Sequence, residues 1–269
     1  MLTDITLGQY FPGSSPIHRL DPRTKILGVV AYISTIFLAE NYLAYGILMA
    51  FAVIVIGVSA IPARLVLRSV KPLWIIIILT LCIHVFSTPG FVIYSLGPLT
   101  ITTEGVRMGI LMSLRLVLLI VVSSLVTFTT SPIALTDGIE RLLNPFRRLG
   151  VPAHELAMMM TIALRFIPTL LEEADRIMKA QMARGADFAS GNILNRAKNM
   201  VPLLVPLFIS AFRRADELAV AMEARCYRGG ENRTRMKELK LGTLDIMAAA
   251  AMLVLIAVLI AVKTYDQII

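Results

Sequence analysis

Charge is what this sequence has least of. Only 16% of its 269 residues are charged and 57% are hydrophobic, whereas a soluble domain carries roughly 25% charged residues. With a mean hydropathy of +0.77, that deficit excludes a soluble core and fits a protein of the bilayer. Cysteine is nearly missing. Cys82 in an apolar run and Cys226 in a basic block give no disulfide framework and suit a reducing cytoplasmic face. No Gly-Lys pair occurs, so the chain lacks G-x-x-x-x-G-K-[S/T] and is not an ATPase by that route. His154-Glu155 opens an H-E-x-x-H pattern that fails at Met158, and no G-x-S-x-G is present, which removes two hydrolase patterns. A cleavable signal pattern is missing too, because polar and Pro-containing sequence precedes the first apolar run.

The charge that is present is unevenly placed. There are 26 Lys and Arg against 18 Asp and Glu, a pI near 9.8, and most of them fall between residues 131 and 243. Such basicity raises nucleic acid as a partner. Beside membrane spans, however, the same charge follows from topology alone, so no nucleic-acid partner is expected.

Five segments read as spans, on the rule of about 20 apolar residues per helix crossing. They are residues 26–39, 42–60, 73–86, 106–128 and 244–262. The first and third are short and must borrow flanking residues or sit where the membrane is thin. With the N-terminus in the cytoplasm, Arg19, Arg23, Lys25, Arg64, Arg68, Lys71, the long block, Lys237 and Lys240 all lie inside. Glu40, Glu104, Arg107 and Lys263 lie outside, as the Lys/Arg bias requires. The expected architecture is an all-α membrane protein with three regions: 1–130 with four spans, 131–243 in the cytoplasm, and 244–269 with the last span, its C-terminus outside. Between spans three and four, Pro89-Gly90 and Gly97-Pro98 are turn signals around two extended runs, Phe91-Val92-Ile93-Tyr94 and Leu99-Thr100-Ile101-Thr102. That pattern predicts a short outer hairpin or re-entrant loop.

The cytoplasmic block carries two amphipathic stripes. Leu156, Met160, Ala163, Ile167, Leu170, Ala174 and Ile177 form one, and Val201, Val205, Phe208, Phe212, Ala215, Ala219 and Met222 the other, both stepping by four and three. Pro152 suits a helix start. Pro168, Pro202 and Pro206 are expected to kink or break helices.

The most informative feature is an internal repeat. Ala174-Asp175, Ile177, Ala180 and Ala183-Arg184 recur as Ala215-Asp216, Leu218, Ala221 and Ala224-Arg225, each pair 41 residues apart. Each arginine closes its helix and precedes a small residue, Gly185 or Cys226. A cation there suits the helix dipole, and a guanidinium can engage carboxylates or the carbonyls ending a partner helix. Two such ends suit a partner with two similar sockets. One Ala-Arg end alone is explained by self-capping. A matched eleven-residue repeat is not, because capping needs no matching Asp and Ala positions.

Other residues have plainer readings. Asp21-Pro22-Arg23 fits an N-cap followed by a first-turn proline. Arg115 lies mid-span, where an arginine costs roughly 2.5–3.5 kcal/mol, so it must face protein or water. His84 reads as a satisfied buried histidine. Glu172, Glu173 and Asp175 could suggest a metal site, but Arg176 and Lys179 on the same helix favour charge pairing. The basic turn from Tyr227 to Lys237 fits a solvated loop, or contact with anionic lipid at about 1 kcal/mol per basic residue.

The opening His18-Arg19-Leu20-Asp21-Pro22-Arg23-Thr24-Lys25 and the helix ends Met182-Ala183-Arg184-Gly185 and Glu223-Ala224-Arg225-Cys226-Tyr227-Arg228-Gly229-Gly230 resemble the transmembrane T component of energy-coupling factor (ECF) transporters. The resemblance covers nearly the whole chain. Cys226 stands where that family's pattern leads one to expect glycine. The resemblance implies a coupling subunit that does no bond chemistry. Two cytoplasmic ABC-type ATPases, which bind the ATP and Mg, would grip the ends bearing Arg184 and Arg225. Their closure would move the helices and reorient a separate small membrane protein, the S component, that binds a vitamin or metal. This chain itself would hold no cofactor or metal. The rivals are an autonomous secondary transporter, which would show repeated spans and discontinuous helices, and an intramembrane metal-dependent transferase using Glu172 and Asp175.

Overall fold

A computed structural model of the chain describes residues 10–96, 99–186, 188, 193–229 and 239–268. It is an all-α membrane protein whose chain divides into two compact units, Gly8–Gly138 with Lys237–Ile269, and Ile139–Met236 with Met1–Leu7. The first unit carries α1 (Pro16–Arg19), α2 (Pro22–Leu38), α3 (Tyr42–Ser59), α4 (Ala63–Val70), α5 (Trp74–Ser87), α6 (Thr103–Thr129) and α10 (Thr243–Ile268). The second carries α8 (Ala153–Ala183) and α9 (Ile193–Ala224), while α7 (Pro132–Leu143) runs from the first unit into the second.

Five helical stretches among the described residues are long and apolar enough to cross a membrane: Tyr42–Ser59, Ala63–Ser87, Thr103–Thr129, Ala153–Ala183 and Thr243–Tyr265. The third sequence span does borrow flanking residues. A 3-10 turn at Lys71–Leu73 joins α4 to α5, giving 25 residues. The first sequence span lies on α2, whose 17 residues reach only about 25 Å, short of a ~30 Å hydrocarbon core. α8, read from sequence as part of the cytoplasmic block, meets the length and composition test at the lowest hydropathy of the five, 1.2.

The first unit is built around α2, α3, α6 and α10. Tyr32 and Ile36 of α2, Tyr45 and Leu48 of α3, Leu111 and Leu118 of α6, and Leu255 and Leu259 of α10 form one buried cluster. Within it the Tyr32 hydroxyl donates to the Leu48 carbonyl at 2.8 Å, and its ring stacks on Phe51 at 5.8 Å. Lipid tails are as apolar as leucine, so such packing and interhelical hydrogen bonds must do what water exclusion does elsewhere. α5 meets α6 through Gly105 and Gly109. A Cβ at Gly105 would stand 2.8 Å from the His84 carbonyl oxygen, and one at Gly109 would stand 3.2 Å from that of Leu81. This is a small-x-x-x-small face of the kind that lets membrane helices approach backbone to backbone.

Polar groups close the helix ends. Asp21 caps α2, accepting from the Arg23 N–H at 2.9 Å, and Pro22 takes the first helical position, as the sequence predicts. The structure adds a network that local reading does not contain. The Asp245 carboxylate accepts from the Asp21 N–H at 2.9 Å and the Gly242 N–H at 2.8 Å, fastening the start of α10 to the start of α2. The Lys25 ammonium donates to the carbonyl oxygens of Thr129 (2.8 Å) and His18 (3.2 Å), closing the end of α6. The starts of α2 and α10 and the end of α6 therefore share one face of the unit.

On the opposite face, Arg115 finds the partners that sequence could not supply. Its Nε donates to the Tyr45 hydroxyl at 2.9 Å and its Nη2 to the Ala39 carbonyl at 3.4 Å, while its guanidinium lies 5.3 Å from the Phe37 ring centroid. Nearby, Lys263 pairs with Glu40 at 2.9 Å and holds that carboxyl below the usual carboxylate range.

The hairpin between spans three and four is present. β1 (Val92–Leu96) pairs antiparallel with β2 (Leu99–Thr102); its turn at Gly97-Pro98 lies outside the described residues. The prolines do not break their helices: α8 runs through Pro168, and α9 through Pro202 and Pro206. A proline removes one intrahelical bond, and helices of 31 and 32 residues keep enough others to continue. His84 is half-buried and, among the described residues, its ring has no hydrogen-bond partner, so it is not a satisfied core histidine.

Replacing Arg115 by Met strips the Ala39 carbonyl and the Tyr45 hydroxyl of their shared donor. The expected loss is about 1–3 kcal/mol, read as a lower unfolding midpoint in detergent, with Arg115→Lys restoring part of it. An unchanged midpoint for Arg115→Met would remove the guanidinium from any structural role.

Candidate docking site

Every residue of the repeat lies on α8 or α9 except the two arginines, which stand at the first position past each helix end. The two helices run antiparallel, as three contacts between them show. The Glu173 carboxylate pairs with Arg214 at 2.7 Å. The Tyr227 hydroxyl, three residues past the end of α9, donates to Met158 Sδ at 3.0 Å and lies 3.4 Å from His154 Nε2, both near the start of α8. His154 Nδ1 in turn lies 3.1 Å from Glu140. The end of α9 is thus tied to the beginning of α8. Arg184 and Arg225 consequently stand at opposite ends of the pair, about 40 Å apart at 1.5 Å per residue of α8.

The repeat extends into the backbone. At the end of α8, the Gly185 N–H donates to the Met182 carbonyl and the Ala186 N–H to the Gln181 carbonyl, both at 3.0 Å. At the end of α9, the Cys226 N–H donates to Glu223 at 2.8 Å and the Tyr227 N–H to Met222 at 3.0 Å. These are two Schellman caps in the same register. Each places the residue after the arginine in the left-handed region, Gly185 at φ +88° and Cys226 at φ +54°. Glycine adopts that conformation freely. Cysteine does so at a cost of about 1–2 kcal/mol, so the departure noted at Cys226 is a strained cap with the same shape.

Because the backbone caps itself, the arginine side chains are not needed for it. Arg184 and Arg225 are exposed, and neither makes a hydrogen bond or ion pair among the described residues. Ala183, Gly185, Ala224 and Cys226 beside them are exposed too, as are Ala180, Ala215, Asp216 and Ala221. Only Ala174 and Asp175 are half-buried. The alanine steps therefore leave a shallow surface that no described part of the chain fills. The equivalence stops at the acids, since Asp175 pairs with Lys179 at 2.6 Å whereas four residues after Asp216 stands Val220.

Glu173 and Asp175 are held in these ion pairs, one across to α9 and one along α8. Among the described residues no group of three His, Cys, Asp or Glu side chains could hold a metal. The basic stretch after Gly229 lies outside the described residues. The Tyr227–His154–Glu140 link was not read from sequence. His154 drew notice only as half of a failed zinc motif, and a contact between residues 73 apart leaves no periodic trace.

Comparison with known proteins gives one consistent result. The cobalt transport protein family, CbiQ, matches residues 13–236. The chain is 67% identical over 259 residues to the energy-coupling factor transporter transmembrane protein EcfT of Acidaminococcus fermentans, covering 96% of this chain and 97% of the relative. It is 62% identical over 250 residues to the protein of that name from Thermosediminibacter oceani, covering 93% and 94%. With that of Bacillus subtilis the identity is 47% over 260 residues, covering 96% and 98%.

If Cys226 sits in a strained cap, Cys226→Gly should stabilise the end of α9 by about 1 kcal/mol, seen as slower amide exchange over Met222 to Tyr227. Gly185→Val should loosen the end of α8 by at least as much. Faster exchange in Cys226→Gly would mean that the left-handed cap is not the resting state of that end.

Proposed function

The chain belongs to the energy-coupling factor transporter transmembrane proteins, the T components, and from that premise we propose that it couples two cytoplasmic ABC-type ATPases to a separate substrate-binding membrane protein. The observation that carries this reading is the duplicated helix end. Two identical caps, each presenting an exposed arginine with no partner among the described residues, stand at opposite ends of one antiparallel helix pair. A partner made of two similar ATPase subunits offers two similar sockets at such a spacing. Arg184 and Arg225 supply planar five-donor forks for those sockets. Ala183, Gly185, Ala224 and Cys226 let the partner's backbone come close.

In this reading ATP and Mg bind in the ATPases, and this chain is a non-catalytic lever. Closure of the ATPases on ATP displaces the two gripped ends. Because Glu173–Arg214 and Tyr227–His154 fasten α8 to α9, the displacement moves the helices as a pair and reorients the S component carrying a vitamin or metal. Substrate choice belongs to that S component. The helix pair and the face carrying Arg19, Arg23 and Lys25 lie on the cytoplasmic side of the cell membrane, and the C-terminus lies outside, in keeping with the positive-inside rule.

Two experiments test the reading. A guanidinium buried in a socket and replaced by a carboxylate costs about 3–5 kcal/mol, roughly a hundredfold or more in affinity. Arg184→Glu and Arg225→Glu should each reduce co-purification of the ATPases, and together abolish it and uptake, while the spans stay folded. Normal uptake by the double variant would sink the proposal. A membrane-impermeant maleimide should label Cys226 in inverted vesicles lacking the ATPases, lose that label when the ATPases are added, and fail to reach it in intact cells. Labelling in intact cells would reverse the topology.

A further inference from the structure

The β1–β2 hairpin lies outside the coupling machinery and has a surface that needs a partner. Phe91, Val92, Ile93 and Tyr94 are 82, 57, 63 and 58% exposed. β1 carries an irregularity between Val92 and Tyr94, so its side chains do not simply alternate there, and all four of these apolar side chains are left exposed. From Val85 to Thr103 the sequence holds no charged residue, although a protein-docking patch is ordinarily rimmed with polar groups.

The base of the hairpin is fixed to the ends of α5 and α6. The Phe91 N–H donates to the Glu104 carboxylate at 2.8 Å and the Thr103 N–H to the Phe91 carbonyl at 3.0 Å, while the Thr102 hydroxyl donates to the Thr88 carbonyl at 2.7 Å. On the α5 side the exposed side chains therefore continue, without a charged break, the apolar surface of a membrane helix, while on the α6 side Glu104 and Arg107 intervene. Two facts bracket their depth. A two-stranded sheet has two open edges, whose unpaired N–H and C=O groups cannot lie in hydrocarbon. Four exposed large apolar side chains do not belong in water. The zone that satisfies both is the boundary between headgroups and acyl chains, where aromatic side chains collect.

We propose that this hairpin is a lipid-interface anchor: Phe91 and Tyr94, with Val92 and Ile93, sit at the headgroup–acyl boundary of the bilayer. The occupant of the surface is lipid, and the interface continues that of α5. A fixed anchor at this point would hold the α5–α6 end of the membrane unit at constant depth while the coupling helices are driven elsewhere.

The chain has one tryptophan, Trp74, which makes the test direct. In a Trp74→Phe background, Phe91→Trp and Ile93→Trp each place a single reporter at an exposed position of the hairpin. Each full-length variant is reconstituted in phosphatidylcholine vesicles, with and without bromine on the upper acyl chain. The expected result for both is blue-shifted emission, loss of most of it to the brominated lipid, and little quenching by aqueous acrylamide. Acrylamide quenching without lipid quenching would put the hairpin in water and overturn the proposal. Protection from both quenchers would mean that protein covers it, and would overturn it equally. Lipid quenching at only one of the two positions would refute an anchor immersed at both. Ser34→Trp, on α2 and away from the hairpin, checks that each preparation is inserted and folded.

Discussion

A helix that ends away from water must still find donors for its last carbonyls, and the ways this chain meets that demand set most of its structure. Two ends use a buried or half-buried cation from another helix. Lys25 closes α6 at Thr129, and Arg115 reaches the Ala39 carbonyl just past α2. The two ends proposed to dock use backbone instead. That difference separates cations occupied by the fold from cations that it leaves exposed. Lys25 and Arg115 are occupied by the fold, whereas Arg184 and Arg225 are left exposed by it. A cationic side chain at a helix end is thus ambiguous in sequence and is resolved only by knowing what already satisfies the carbonyls.

The same demand accounts for the short first span. At 17 residues α2 cannot cross a bilayer core unaided, and an uncapped end inside hydrocarbon would cost several kcal/mol per group. The Arg115 guanidinium brings one donor to the Ala39 carbonyl, just past the place where α2 stops. Its other contacts are the Tyr45 hydroxyl and the Phe37 ring. An arginine that looks misplaced in α6 thus serves the end of a helix that looks short in α2.

Much of this was legible in the sequence, for physical reasons that can be named. The spans show because apolar length is local, and the Asp21-Pro22 start shows because capping is local. The paired helix ends show because duplication leaves a trace at a fixed offset. What escaped depends on contacts far apart in the chain. Asp21 with Asp245 (224 residues), Arg115 with Ala39 (76 residues) and Tyr227 with His154 (73 residues) have no periodicity to betray them. One local signal was present but unread. Gly105 and Gly109 form a close-packing face on α6 that the spacing alone could have announced. Pro168, Pro202 and Pro206 do not end their helices, because one missing bond is a small part of a helix of about thirty residues.

The two proposed docking ends share a shape without sharing an energy. Gly185 enters the left-handed region without strain and is followed by Ala186. Cys226 enters it at a cost and is followed by Tyr227, whose hydroxyl engages Met158 and His154. The strain at Cys226 is therefore opposed by a tether one residue later. A tethered end transmits displacement directly to the start of α8, whereas an untethered one can turn about its glycine before it pulls. If the two ends are gripped by two similar but non-identical ATPases, the stiff end would report motion first and the pliant end would absorb the mismatch between the two sockets. A nearly symmetric motor driving an asymmetric membrane partner would need an element that breaks the symmetry, and the Cys226-Tyr227 end is a place in this chain where the repeat breaks.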